Sequence, residues 1–91
     1  MAKFEFTEET LKIGDIALHR IKATIDFSDV KKGDLGGFIE EEKNLSQDDN
    51  AWVYGNARVY GNASGDGNAR VYGNARVYGD ARVYGDARVY G

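Results

Sequence analysis

The sequence predicts an all-β chain: a triangular parallel β-helix built from six-residue repeats, with a β-hairpin as its N-terminal cap. Three observations carry that prediction. From Asn50 the chain divides into seven consecutive hexads: NAWVYG, NARVYG, NASGDG, NARVYG, NARVYG, DARVYG and DARVYG. In six of the seven hexads alanine and valine stand two apart, so on an extended strand both point to one side, while the residue between them, usually arginine, and the tyrosine after valine point to the other. Glycine followed by Asn or Asp recurs at one phase, where the chain turns a corner and positive φ is often needed.

One short strand and one corner per hexad, with three hexads per coil, gives coils of 18 residues. Residues 18 apart then stack at the strand spacing of about 4.8 Å. Alanine recurs inward at 51, 57, 63, 69, 75, 81 and 87, and valine at 53, 59, 71, 77, 83 and 89, with Gly65 in the missing slot. Outward columns follow: Arg58 with Arg76, Arg70 with Arg88, Tyr54 with Tyr72 and Tyr90, and Tyr60 with Tyr78. At the corners Asn50 stacks over Asn68 and Asp86, and Asn56 over Asn74, where side-chain amides can form a ladder along the axis. Asp80 and Asp86 in the last coil read as solvated corner residues.

The first half is less regular. KFEF and IALHRIKATIDF read as strands, with Gly14-Asp15 as the turn of a small antiparallel hairpin. SDVKKGDLGGFI reads as a turn-rich connection. Ile39 and Leu45 are six apart and Val53 follows after eight, which suggests two irregular rungs leading into the regular helix and about nine rungs in three coils. Trp52 takes the first arginine position and is expected to pack the outward face under the cap. One structural domain results: a β cap at 1–29, irregular lead-in rungs at 30–49 and the hexapeptide β-helix at 50–91.

Composition narrows the function classes. The 91 residues contain no cysteine, which excludes disulfide staples and thiolate metal sites. No apolar run approaches the roughly 20 residues of a membrane span, and the start lacks the apolar stretch of a signal peptide. The expected location is the cytoplasm, with no membrane partner. The net charge of −3 divides unevenly: residues 1–49 carry twelve acids and seven bases (−5), residues 50–91 three acids and five arginines (+2). The acidic whole argues against nucleic acid as the partner.

The repeat VYGNAR resembles the hexapeptide motif of left-handed β-helices, with a branched apolar residue inward and a small one four places later. That resemblance implies a left-handed coil. A second resemblance covers residues 16–60. The alternating strand, then DFSDVKKG, then GG with an apolar pair, then NLSQ and Trp52 before the first repeat, is similar to a bacterial and phage group usually labelled hexapeptide-repeat acetyltransferases. It implies the fold and the cap-to-helix junction. It also implies a phage-type accessory protein that engages or inhibits a partner such as a host defence complex, in the host cytoplasm if phage-encoded.

The residues argue against acyl transfer, which needs a general base to take the proton of the acceptor. Members of the resembled enzyme class place a histidine on the helix and bind acyl-CoA between subunits. Here the one histidine, His19, lies in the N-terminal strand, and no loop is inserted between hexads. No catalytic residue, metal ligand or cofactor is assigned. Glu40–Glu42 and Asp48–Asp49 read as solvated loops. The third hexad replaces Arg, Val and Tyr by Ser64, Gly65 and Asp66, which predicts a weak rung and a bared patch.

The expected function is therefore a non-catalytic, oligomeric β-helix that presents a rigid surface to a partner protein; the alternative is a hexapeptide acyltransferase with an inter-subunit site. The candidate partner surface is Arg58, Tyr60, Arg70, Tyr72, Arg76, Tyr78, Arg82 and Tyr84, because arginine and tyrosine favour stacking and interfaces. The last coil ends in phase and uncapped, so a homodimer is expected through Val83, Tyr84, Arg88, Val89 and Tyr90.

Overall fold

The computed structural model describes residues 2–90. Strands β1 (Phe4–Ile13) and β2 (Ile16–Ala23) form an antiparallel hairpin whose turn is at Gly14, with φ of 59°. β3 (Leu35–Ile39) pairs antiparallel with β2 on one side and parallel with a helix strand on the other. The β-helix strands are short: β4 (Trp52–Val53), β5 (Arg58–Val59), β6 (Ser64–Gly65), β7 (Arg70–Tyr72), β8 (Arg76–Val77), β9 (Arg82–Val83) and β10 (Arg88–Tyr90). They sort into three parallel faces, β3-β5-β8, β4-β7-β10 and β6-β9, with the hairpin continuing the first face as β1-β2-β3.

Register confirms the 18-residue coil. Val53, Val71 and Val89 stack, as do Val59 and Val77, and Gly65 and Val83. Above them Ile39 pairs with Val59 and Leu45 bridges to Gly65, giving three coils and nine inward rungs. Both of these first steps span 20 residues, because eight positions rather than six separate Leu45 from Val53. The extra two residues widen one corner, and that corner receives the chain's beginning: Gln47 Oε1 accepts the backbone N–H of Lys3 at 2.8 Å and of Phe4 at 3.3 Å. The inward valines and the alanines of the first two coils are buried, in one core with Phe4, Ile21, Val30, Ile39, Leu45 and Trp52. Trp52 is 1% exposed and meets the edges of Phe4 and Phe27.

The upper edge of the first coil would leave backbone carbonyls without donors, and unpaired buried carbonyls are costly. Cationic side chains of the cap meet them. Lys3 Nζ donates to the carbonyls of Asp49 at 2.7 Å and Ala51 at 2.6 Å, stands 3.7 Å from the Asp49 carboxylate, and lies over the Phe27 ring. Arg20 donates to the carbonyls of Gly36 at 2.7 Å and Gly55 at 3.2 Å, lies over the Phe38 ring, and pairs with Glu9 at 2.9 Å. Asn44, at the end of the 3₁₀ turn Glu42–Asn44, donates to the carbonyls of Gly61 and Ala63.

Four expectations change. β1 runs to Ile13, well beyond KFEF, because Leu11 and Ile13 pack with Leu18, Phe38 and Tyr60. β2 stops at Ala23, and Phe27 instead bridges Val30 across a turn at Ser28, whose φ is 49°. Gly36 and Gly37 are strand residues, not a turn, and the strand needs them bare. A Cβ on Gly37 would lie 2.5 Å from the Ala57 carbonyl oxygen and 2.6 Å from Val53, and one on Gly36 would lie 2.7 Å from Trp52, Ile21 and the Val53 oxygen. The third hexad is not an empty rung: Leu45 packs over Gly65, its Cδ1 3.6 Å from where a Cβ would stand.

Two predictions follow from this packing. Gly37→Ala lowers unfolding stability by about 3 kcal/mol or more, since backbone must shift, whereas Gly65→Ala changes it by less than about 1 kcal/mol; urea midpoints measure both. Burial pushes the Lys3 ammonium down to about 8, against the opposing pull of Asp49. Between this value and the ordinary 10.5 the unfolded chain binds more protons, so stability rises with pH. Denaturation at pH 7.5 and 9.5 should differ by about 2 kcal/mol in favour of the higher pH, and Lys3→Met should remove that slope.

Candidate functional site

The outward positions of the hexads build the candidate surface. Because coils repeat without rotation of register, like residues stack: Arg58 with Arg76, Arg70 with Arg88, and Ser64 with Arg82. Each arginine is followed two residues later by an outward tyrosine, so arginine and tyrosine columns alternate around the coil. Tyr72 and Tyr90 stack at 5.1 Å with an interplanar angle of 18°, and Tyr60 and Tyr78 at 5.3 Å and 11°.

The predicted residues divide by exposure. Arg76, Arg82, Arg88, Tyr78, Tyr84 and Tyr90 are exposed, and Arg58, Arg70 and Tyr72 are half-buried. Tyr60 is 9% exposed, since the hairpin residues Leu18, Leu11, Ile13 and Ile16 cover it. It supports Tyr78 but offers no free face of its own. Of the residues expected at a subunit contact, Val83 is buried, Val89 half-buried, and Tyr84, Arg88 and Tyr90 open.

One set of contacts was not legible in the sequence. Asp29, in the turn after β2, reaches the face of β4, β7 and β10. Its Oδ1 accepts from the Tyr54 hydroxyl at 3.0 Å, and its Oδ2 stands 3.3 Å from Arg70 Nη1. Ser28 Oγ adds a contact of 3.4 Å to Arg70 Nη2. Tyr54 turns edge-on to Tyr72, at 85°, to make its bond. Desolvation, then the bond to Asp29, raises the Tyr54 hydroxyl from 10 to about 12. Among the described residues Arg70 is the one repeat arginine with an ion pair. The only advance signal was the acid in SDV, and nothing local says which residues 25 and 41 positions away it meets.

The corners carry ladders of fixed polarity. Asn50 donates to Asn68, and Asn68 to Asp86; Lys43 donates to Asn62, and Asn62 to Asp80. Each ladder passes its donors toward the last coil, so its final member only needs to accept, which an aspartate does. Two of the acids of 40–49 accept from the coil below: Glu40 from Gly61 N–H at 2.9 Å, and Asp49 from Gly67 N–H at 2.6 Å. Among the described residues no group of three or more His, Cys, Asp or Glu is placed to hold a metal ion. His19 stacks on Phe6 at 4.7 Å and 10°, opposite Thr10 and Ile39. Among the described residues no helix is long and apolar enough to cross a membrane.

The fold thus defines a three-faced β-solenoid of hexapeptide repeats. A family model described as the YdcK Beta solenoid repeat matches residues 49–64, 69–83 and 81–91. The chain is 39% identical over 51 residues to a protein of Escherichia coli (strain K12) named "Uncharacterized acetyltransferase YdcK". That match covers 56% of this chain and 15% of the relative's length. The matched repeats and the observed coil agree on a hexapeptide-repeat β-helix fold.

The Asp29 contacts can be checked directly. In Asp29→Asn the Tyr54 hydroxyl should titrate closer to its ordinary value of 10, because the carboxylate no longer opposes the phenolate. The ¹³Cζ shift of Tyr54 followed from pH 9 to 12 measures this. An unchanged midpoint would mean burial alone holds the shift.

Proposed function

We propose that the chain is a non-catalytic binding module that presents its arginine and tyrosine columns to a partner protein. One observation carries the reading. Among the described residues Arg58, Arg76, Arg82 and Arg88 have no ion-pair partner, although paired strands hold them in register and Arg76, Arg82 and Arg88 each precede an exposed tyrosine by two residues. Columns of like charge cost free energy unless an acidic surface faces them. Tyrosine and arginine supply large contact area at modest entropic cost, which suits them to the centre of an interface.

Acyl transfer is the second reading, and the name of the Escherichia coli relative favours it. The two part in one experiment. The tagged chain and an Arg82→Ala/Tyr84→Ala variant with the same circular dichroism and melting temperature are used to capture proteins from the native cell. Both are then titrated calorimetrically with acetyl-CoA. The binding-module reading expects a protein held by the wild type and lost from the variant, with no heat from acetyl-CoA. Saturable acetyl-CoA binding, with acetyl transfer to an amine or hydroxyl acceptor, would replace it with the enzyme reading.

A further inference from the structure

The cap already shows how the columns hold an acid. Asp29 sits across one coil step, its carboxylate bridging Tyr54 in the upper coil and Arg70 in the coil below. Tyr72 and Arg88 are the same two positions moved down by 18 residues, and the strands carrying them pair in register. Repetition of the backbone therefore repeats the receptor. Around it lie two adjoining cavities, of about 380 and 150 Å³, which share Arg70 and Arg88. Tyr54 and Tyr72 wall the smaller, while Ser28, Asn50, Asn68 and Asp86 wall the larger.

The second step lacks the occupant of the first. Among the described residues no carboxylate is paired with Arg88, and Tyr72 makes no hydrogen bond through its hydroxyl. The nearest acid in sequence, Asp86, accepts from Asn68 at 3.1 Å. Tyr72 is still stacked on Tyr90, whereas Tyr54, which holds Asp29, has turned out of that stack.

Resting on the binding-module reading, we propose that the Tyr72–Arg88 step is a receptor site for the carboxylate of an Asp or Glu in an acidic segment of a partner protein. The Arg88 guanidinium supplies the charge and Tyr72 turns to donate its hydroxyl, as Arg70 and Tyr54 do for Asp29. The occupant is a peptide segment because the observed one is: Asp29 arrives in a turn whose preceding Ser28 also contacts the arginine. Charge complementarity agrees, since the repeat region carries +2 with its arginines outward.

The test uses the full chain, labelled with ¹³C and ¹⁵N, and two probes. One is acetyl-Phe-Ser-Asp-Val-amide, which copies residues 27–30; the other is the same peptide with Asn for Asp. The site predicts saturable shifts of the Arg88 Nε–H and the Tyr72 ring with the Asp peptide and none with the Asn peptide. Arg88→Gln, on the exposed outermost strand, should weaken binding roughly fivefold or more, while Lys12→Gln, at an exposed position of β1, leaves it unchanged. Equal shifts from both peptides, full affinity in Arg88→Gln, or no saturable binding of the Asp peptide would each overturn the site. Asp-dependent binding that maps to Arg58 and Arg76 would overturn this site and leave the binding module standing. Self-association that the Asp peptide reverses would make a second copy the occupant and overturn the choice of a foreign partner.

Discussion

A parallel coil is stable only between neighbours, and that requirement organises this molecule. Each strand offers N–H and C=O groups alternately upward and downward, and one coil satisfies the next. At the first coil the upward groups need something other than another repeat. The hairpin supplies strand pairing on one face through β2 and β3. On the others it supplies donors at the ends of long side chains, the Lys3 ammonium and the Arg20 guanidinium, each meeting two carbonyls. A cation suits this role because it has several donors and no acceptor to leave unpaired. Its cost is desolvation, which is why Lys3 lies beside Asp49 and titrates below its ordinary range.

The same repetition that satisfies the backbone creates a problem on the outside. Identical residues 18 apart are held in register at the strand spacing, whether or not they attract one another. For asparagine the result is favourable, since an amide both donates and accepts. For tyrosine it is favourable as well, since rings stack. For arginine it is not. The cap relieves the strain once, by extending Asp29 to Arg70, and Phe38 and Trp52 occupy the arginine slots of the first coil with aromatic rings instead. The remaining arginines are the positions where an external acid would be most effective.

Much of the candidate surface could be read before any coordinates. The period of six, the inward phase of alanine and valine, and the columns of Arg70 with Arg88 and Tyr60 with Tyr78 all came from spacing. The readings that changed involved contact between parts of the chain with no shared period. Tyr60 looks like every other tyrosine of the repeat, but hairpin residues from Leu11 to Leu18 cover it. Gly65 looks like a lost core residue, but Leu45 in the irregular coil above is large enough to pack against it. Asp29 looks like one more turn acid, but it is the one that reaches the columns.

The sequence by itself determined the coil. A six-residue alternation of small, outward, branched, outward and turn residues leaves few other ways to bury valine and alanine while sending arginine and tyrosine to solvent. Translational repetition then sets every neighbour 18 positions away, because each coil copies the one above. Only the tertiary structure decided how the coil is closed and which of its repeated positions differ. Those outcomes depend on where a hairpin of unrelated period comes to rest, on a two-residue excess between Leu45 and Val53, and on the reach of Lys3, Arg20 and Asp29. No local propensity encodes such distances; packing of the cap against the first coil does.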